Sequence, residues 1–203
     1  MPDTLETTRT KAFETGLCEI RWHGRGGQGA ISSAKALAHA AFLNGYEGVT
    51  SAPTFGAERR GAPVSASTRI SPETVRTLSP VEHPFIVIVL DPSLLQVADA
   101  TAGLHAGGWL IVNSPEAPEA LGMEGDFGVA TADATRIAAE VGLLVAETPM
   151  VNTAMLGPFA RTTGIVTLEN IEAAVANAFS AKAAEKNYEA ARRAYDETRI
   201  LER

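Results

Sequence analysis

A glycine-rich run of seven residues, 24–30 with the sequence GRGGQGA, constrains this chain more than any other stretch. Residues 18–23 before it alternate polar and apolar side chains and predict a strand, and Ala30–Leu43 after it is rich in alanine and leucine and predicts a helix. Four glycines within residues 24–29 permit positive φ and leave no Cβ in the way of an approaching group. The order strand, glycine turn, helix therefore presents free N–H groups at the positive end of a helix dipole, which suits an anion.

The side chains of this run favour a binding or docking loop over a bare connection. Arg25 would add a full positive charge, and Gln28 adds a polar amide. A tight strand-to-helix connection with no ligand is the alternative. The predicted site residues in this loop are Gly24, Arg25, Gly26, Gly27, Gln28 and Gly29.

The same loop satisfies the dinucleotide pattern G-x-G-x-x-G, so a nicotinamide or flavin protein must be considered. That pattern expects an acidic residue at the end of the second strand, about 20 residues further on, to hold a ribose. Glu47 has about this spacing, but it precedes the next apolar segment and would begin that strand instead of ending it. The pattern alone is weak support for a dinucleotide site.

Charge and hydropathy exclude two classes of partner. The 203 residues carry a formal net charge of −7, which argues against a nucleic-acid surface and against a polybasic membrane patch. The apolar run at 85–90, FIVIVL, is far shorter than the roughly 20 residues of a membrane helix. Residues 1–16 contain no apolar signal segment. We therefore expect a cytoplasmic chain with no nucleic acid and no membrane among its partners.

Cysteine and histidine usage predicts no metal centre in this chain. Cys18 is the single cysteine, and an iron–sulfur cluster normally needs four thiolates. The four histidines are scattered without the close pairing of metal ligands. No residue pattern places a nucleophile beside a base, so we predict no catalytic residue either.

The pattern after the first helix predicts a mixed sheet. A short strand is expected near 46–50 and an irregular segment with two prolines over 51–63. Alternation over 64–70 predicts a strand, and 74–79 is β-prone enough to return beside it as a hairpin. The run at 85–90 is apolar on both faces, as a central buried strand is.

The next segments alternate helix and strand. Asp91 and Pro92 predict the start of a helix that runs to about residue 102. Strands are expected at 109–113 and 126–131, with a helix over 133–141. The predicted fold class is α/β, with three layers: a Rossmann-like, mixed and mostly parallel sheet with helices on both faces and a helical C-terminal segment.

Helices alone are predicted from residue 152 onward. Gly157 and Pro158 predict a kink or two short helices within 152–162, and an apolar stripe predicts a helix from about Leu168 to Ala178. Residues 181–201 predict an alanine-rich helix with little apolar area, which is either solvated or lies along another subunit. The expected division is a polar N-terminal arm at 1–16, flexible or ordered only by a partner, an α/β domain at 17–180 and a C-terminal helix at 181–203.

A second polar loop, residues 55–63 with the sequence FGAERRGAP, is the other candidate site. Two adjacent arginines beside a glutamate need a neutralising group, and arginine suits carboxylates and phosphates. Because loops at the carboxyl ends of sheet strands gather at one edge, we expect this loop to lie beside the first. The alternative is a solvated turn in which the glutamate pairs with one arginine. Its predicted site residues are Phe55, Gly56, Glu58, Arg59, Arg60 and Gly61.

Three motifs together carry a family resemblance. They are GRGGQGA at 24–30, FGAERRGAPV at 55–64 with the strand that follows it, and NTAMLGPFARTTG at 152–164. In this order they resemble the gamma subunit of the 2-oxoacid:ferredoxin (acceptor) oxidoreductases, which is domain III of the single-chain pyruvate enzymes. The resemblance covers about residues 18 to 180. Arg60-Gly61-Ala62-Pro63-Val64 is more similar to the pyruvate, branched-chain and phenylglyoxylate types than to the 2-oxoglutarate or indolepyruvate types.

The resemblance implies one part of a larger enzyme that oxidatively decarboxylates a 2-oxoacid, usually to the acyl-CoA. It implies thiamine diphosphate with Mg between alpha and beta subunits, and 4Fe-4S clusters mainly on a ferredoxin-like delta subunit. Electrons would pass to ferredoxin or to an NAD-reducing subunit. The gamma subunit would have a structural role with coenzyme A access at its interface, and it would be inactive alone. The alternatives are an autonomous NAD- or FAD-binding Rossmann oxidoreductase and a phosphate- or nucleotide-binding module.

Overall fold

The computed structural model describes residues 2–54, 61–77 and 79–203. Its helices and strands follow in chain order. They are α1 (Pro2–Ala12), β1 (Cys18–Arg25), α2 (Ala30–Leu43), β2 (Gly48–Thr54), β3 (Pro63–Ser71), β4 (Ile86–Val89), α3 (Leu94–Val97), β5 (Gly108–Asn113), β6 (Phe127–Ala132), α4 (Ala134–Glu140), β7 (Leu144–Val145), β8 (Thr148–Pro149), α5 (Leu156–Thr163), α6 (Leu168–Ala178), α7 (Ala181–Asp196) and β9 (Arg199–Leu201).

A seven-stranded sheet in the order β2-β3-β1-β4-β5-β6-β9 forms the centre of the fold. Strands β1, β4, β5 and β6 are parallel neighbours, whereas β3 is antiparallel to both β1 and β2, and β9 is antiparallel to β6. Five of these seven strands therefore run in one direction. The predicted α/β class with a mixed, mostly parallel sheet is confirmed.

Alternation along the central strand divides the core into two layers. Ile86 and Ile88 belong to a large cluster with β1 and residues of α2, α5, α6 and α7. Val87 and Val89 point to the opposite face, into a smaller cluster with Leu94 of α3. All four side chains of β4 are fully buried, so the prediction of a central buried strand at 85–90 is confirmed.

The helix predicted after β4 is much shorter than expected. It spans only Leu94–Val97, and Asp99 with φ 42 ends it. The Asp91 carboxylate accepts from the backbone and side chain of Ser93, and it also binds side chains of the glycine loop. The pair Asp91-Pro92 therefore makes a turn and does not begin a helix that runs to 102.

Two expectations around β3 are wrong. The strand predicted at 46–50 spans Gly48–Thr54, and so enters the segment that we expected to be irregular. Pro53 is tolerated there because β2 is an edge strand, where a missing N–H need not break the ladder. The described residues of 74–79 form no strand, since β2 and β1 already occupy both sides of β3.

The C-terminal half differs from the sequence prediction at three points. Gly157 and Pro158 fall in the first turn of one helix, α5, so neither a kink nor two helices results. Helix α7 ends at Asp196, and the last residues add β9 to the sheet instead of extending the helix to 201. Ala190, Ala191 and Ala194 are fully buried, so this helix packs within the chain itself.

The polar segment at the N-terminus is helical as α1. Ala12 is buried, and Trp109 Nε1 donates to Thr8 Oγ1 at 3.3 Å. Contacts of this kind order the helix against the chain's own sheet without a partner. The division of the chain at residues 16 and 180 stays a prediction.

Candidate functional site

The glycine loop lies at the carboxyl end of β1, directly before α2. Strand β1 includes Gly24 and Arg25, and Gly29 is the residue that precedes the helix. Gly27 has φ 97 and Gly29 has φ 84, values that other residues rarely adopt. The sequence prediction of strand, glycine turn and helix is confirmed here.

The structure brings the end of the second loop against the first. Gly26 N–H donates to Ala62 O at 2.9 Å, and Gly61 N–H donates to Gly26 O at 3.2 Å. Antiparallel pairing of β1 with β3 causes this, since it places Arg25 opposite Pro63. The remaining predicted site residues of that loop lie outside the residues that the structure describes. They are Phe55, Gly56, Glu58, Arg59 and Arg60.

Each of the three guanidinium nitrogens of Arg25 donates a hydrogen bond within the chain. Its Nε forms an ion pair with Asp91 Oδ2 at 2.9 Å, Nη2 donates to Ser93 Oγ at 2.7 Å and Nη1 donates to Gly61 O at 3.1 Å. The charge that the sequence suggested for an anion is therefore neutralised by Asp91, a residue that we predicted only as a helix start.

Gln28 closes the loop on itself. Its Oε1 accepts from Arg25 N–H at 2.7 Å, while its Nε2 donates to Asp91 Oδ2 at 3.2 Å. Burial raises the pKa of the Asp91 carboxyl, but hydrogen bonds from Ser93 and Gln28 and the charge of Arg25 outweigh this, and the pKa lies below its ordinary value. Asp91 is therefore a carboxylate at neutral pH.

The third motif of the sequence also reaches the glycine loop. An ideal Cβ on Gly29 would lie only 2.9 Å from Asn152 Nδ2, so a side chain there has no room. Ser33 Oγ donates to Asn152 O at 3.0 Å and ties the start of α2 to this segment. Sequence reasoning did not assign Asn152 to the site, although it is the first residue of the motif NTAMLGPFARTTG.

A cleft of about 400 Å³ opens beside these contacts. It is lined by the glycine loop at 26–28, by the turn after β4 at 90–92 and by the β7–β8 hairpin, and Asn113 and Thr135 also line it. Among the described residues that line it, only Asp91 is charged. The cleft lies at the carboxyl ends of parallel strands β1, β4 and β5, where open α/β sheets bind their ligands.

The histidine closest in sequence to the loop is held neutral. Arg21 Nε donates to His23 Nε2 at 3.1 Å, so this nitrogen acts as an acceptor. Burial, together with the nearby charge of Arg21, lowers the pKa of His23 to about 4. Cys18, at the other end of β1, is fully buried, and burial raises the pKa of its thiol.

The geometry does not suit a dinucleotide with a ribose-binding acid. Glu47 lies directly before β2, and β2 runs in the same direction as β1. Glu47 is therefore at the amino ends of these strands, whereas the glycine loop is at their carboxyl ends. In the part of the chain that the structure describes, we find no group of three or more His, Cys, Asp or Glu side chains placed to hold a metal. A search of the described helices also finds none with the length and apolar character needed to cross a membrane.

Known proteins match this chain over nearly its whole length. The family model of pyruvate ferredoxin/flavodoxin oxidoreductase matches residues 19–197. The pyruvate/ketoisovalerate oxidoreductases common subunit gamma of Thermococcus litoralis is 46% identical over 190 residues, which cover 92% of this chain and 100% of the relative. Pyruvate synthase subunit PorC of Methanothermobacter thermautotrophicus is 45% identical over 185 residues, which cover 91% and 98%. The crystal structure of pyruvate oxidoreductase subunit PORC from Thermotoga maritima superposes with a TM-score of 0.78 at 37% identity, covering 92% of this chain and 99% of that chain.

Fold, motif geometry and these matches together define a subunit of an oxidoreductase. The chain belongs to the pyruvate ferredoxin/flavodoxin oxidoreductase family. Within it, the chain is a gamma subunit of a multi-subunit 2-oxoacid:ferredoxin oxidoreductase, and the resemblance stated from its three motifs is confirmed.

Proposed function

We propose that this gamma subunit serves a cytoplasmic complex that oxidatively decarboxylates pyruvate or a branched-chain 2-oxoacid to the acyl-CoA. The names of its relatives, which mention pyruvate and ketoisovalerate, support this substrate class. In the proposed complex, alpha and beta subunits hold thiamine diphosphate and Mg, and a ferredoxin-like delta subunit holds the 4Fe-4S clusters. Ferredoxin or an NAD-reducing subunit takes the electrons.

The role of this chain in the complex is proposed to be docking, with coenzyme A access at the interface. The observation that carries this role is the meeting of three motif segments at one sheet edge, through Gly26 with Ala62 and Gly29 with Asn152. A surface built largely from backbone suits close approach by another backbone or by a ligand.

The charges around the cleft limit which residues of this chain could recognise an anion. Arg25 is already paired with Asp91, and the cleft beside the loop has Asp91 as its only charged described lining residue. Coenzyme A is anionic, so its phosphates would not be favoured by these residues alone. We therefore assign the recognition of an anion, or of a partner carboxylate, to Arg59 and Arg60, and we assign shape and close approach to the glycine loop.

Reconstitution tests the proposed function. The full chain alone, given 2-oxoacids, coenzyme A, thiamine diphosphate, Mg and a viologen dye, should reduce no dye. Adding alpha, beta and delta subunits from one source should produce acyl-CoA and dye reduction, and omitting this chain should lower the yield of assembled complex or raise the apparent KM for coenzyme A. Dye reduction by the pure single chain would contradict the proposal, as would full activity and normal assembly of the other subunits without it.

A further inference from the structure

Hydrogen bonds between Arg25 and Gln28 close the glycine loop, but its four glycines have no side chains with which to fix its shape. Residues without a Cβ lose more conformational freedom on ordering than any others, so a loop with glycines at 24, 26, 27 and 29 needs external restraint. The described backbone contacts, such as Gly26 with Ala62, restrain one side of it. A second restraint on the loop comes from Asp91, which follows the end of β4.

Asp91 is placed to supply that restraint by the parallel pairing of β1 and β4. Leu90 N–H donates to His23 O at 2.8 Å, which fixes the end of β4 beside the end of β1. The next residue, Asp91, consequently lies next to the start of the loop. The backbone position of Asp91 is set by the pairing of β4 with β1 and not by the loop, so Asp91 can hold the loop in place.

Both oxygens of this carboxylate are fully used. Oδ1 accepts from Ser93 N–H at 3.0 Å and from Ser93 Oγ at 2.5 Å. Oδ2 accepts from Arg25 Nε at 2.9 Å and from Gln28 Nε2 at 3.2 Å. A carboxylate offers about four acceptor positions. Although Asp91 lines the cleft, it has none left for a ligand, so its chemistry is that of a support.

Arg25 extends this support to the second loop. The same guanidinium that binds Asp91 donates to Gly61 O, so one carboxylate fixes the loop at 26–29 and also the end of the loop that contains Arg59 and Arg60. The glycine loop, the turn at Asp91 and the end of the second loop at Gly61 are thus joined by charged hydrogen bonds, which are stronger and more directional than neutral ones.

We infer that Asp91 is a positioning residue, which holds the glycine loop and the end of the second loop in the geometry used for docking and coenzyme A access. This inference rests on the proposed function for its biological consequence. Its structural content, the restraint of the two loops by one carboxylate, is independent of that function and is tested separately.

The structural arm uses hydrogen–deuterium exchange on the full chain. Asp91→Asn keeps the shape but removes the charge and leaves one acceptor oxygen, which cannot serve the donors of Ser93 and those of Arg25 and Gln28 together, so amides in 26–29 and 61–62 should exchange about three- to tenfold faster. Asp133→Asn is the matched control, because Asp133 follows the parallel strand β6, two strands away from β4, and caps α4, where asparagine caps equally well. It should leave the loop unchanged.

A double-variant cycle shows whether the effect passes through the ion pair. Arg25→Met should accelerate exchange at the same amides, and the acceleration in the double variant Arg25→Met/Asp91→Asn should be smaller than the product of the two single accelerations. Unchanged loop exchange in Asp91→Asn, or fully additive effects in the double variant, would overturn the inference.

The functional arm uses the reconstituted complex. Asp91→Asn should raise the apparent KM for coenzyme A about three- to tenfold while kcat stays within about twofold, since the thiamine chemistry is elsewhere. A merely structural defect would lower the amount of complex and leave KM unchanged. Faster exchange with an unchanged KM supports positioning by Asp91 and counts against the proposed function, so the two failures are distinguishable.

Discussion

The contact between α5 and α7 makes Gly157→Ala a demanding test of the fold. An ideal Cβ on Gly157 would lie 1.9 Å from Ala191 O and 2.7 Å from Tyr195 N. Both atoms belong to the backbone of α7, so no side-chain rotation can relieve the clash. The two helices must separate by roughly 1 Å or more, which a close-packed interior resists.

The structure allows the size of the effect to be worked out. Separation of the helices loosens the fully buried alanines of α7, and overpacking of a core costs about 1–3 kcal/mol. Because the clash here is with backbone, we expect the upper end of this range. Alanine returns up to about 1 kcal/mol through its higher helix propensity. The net loss is about 2 kcal/mol in the free energy of unfolding, or roughly 4–8 °C in Tm for a chain of this size.

Urea unfolding of the full chain measures this loss. Gly45→Ala is the control, because Gly45 has φ +96 and no described residue comes within 4 Å of a Cβ built on it. It should lose only the conformational cost of about 1 kcal/mol. The sign of the Gly157→Ala effect is decisive: a loose helix contact would make this variant more stable than the wild type, and that result would refute the close packing described here.

Three further predictions concern the loops and pH. Gly29→Ala should destabilise the isolated chain more than Gly27→Val does in chemical unfolding, because of the two glycines only Gly29 has a close neighbour among the described residues. Gly27→Val should instead weaken assembly of the complex, and normal assembly would remove Gly27 from the proposed interface. Changing Arg59 and Arg60 together to methionine should weaken assembly or raise the apparent KM for coenzyme A, and unaltered assembly and kinetics would make the loop an ordinary solvated turn. The pKa of His23 lies at about 4 in the folded chain against 6.5 ordinarily, so the unfolded state binds the proton first as the pH falls. Roughly 3 kcal/mol of the free energy of unfolding present above pH 6.5 should therefore be lost as the pH falls to about 4. His23→Gln should flatten this pH dependence of urea unfolding, and an unchanged slope would show that His23 does not cause it.

Local patterns were sufficient to predict most of the sheet. The apolar run at 85–90 and the stretches before and after the glycine loop have periodicities that depend on near neighbours in the chain, and they became β4, β1 and α2. The errors fell where a distant strand decides the outcome. The two prolines within 51–63 predict an irregular segment, but Pro53 is tolerated in the edge strand β2, and strand order is not visible in local sequence.

The candidate site shows the same limit. Asp91 followed by Pro92 has the local pattern of a helix start, and that prediction used only neighbours in the chain. Its actual partners, Arg25 and Gln28, are brought to it by the pairing of β1 with β4. Sequence patterning could identify the glycine loop as a candidate, but it could not identify what neutralises its arginine.

Two glycines of one loop are required for different reasons, and the difference bears on what the loop does. At Gly29 the requirement is internal, because Asn152 fills the space that a side chain would need. At Gly27 the positive φ favours glycine, yet nothing in the described chain lies within 4 Å of a built Cβ. The loop is thus held by Asp91 through Arg25 and Gln28, and among the described residues none covers the space in front of Gly27. A rigid surface without side chains permits close approach by another molecule, and this supports docking at Gly27 over a role in the chain's own packing.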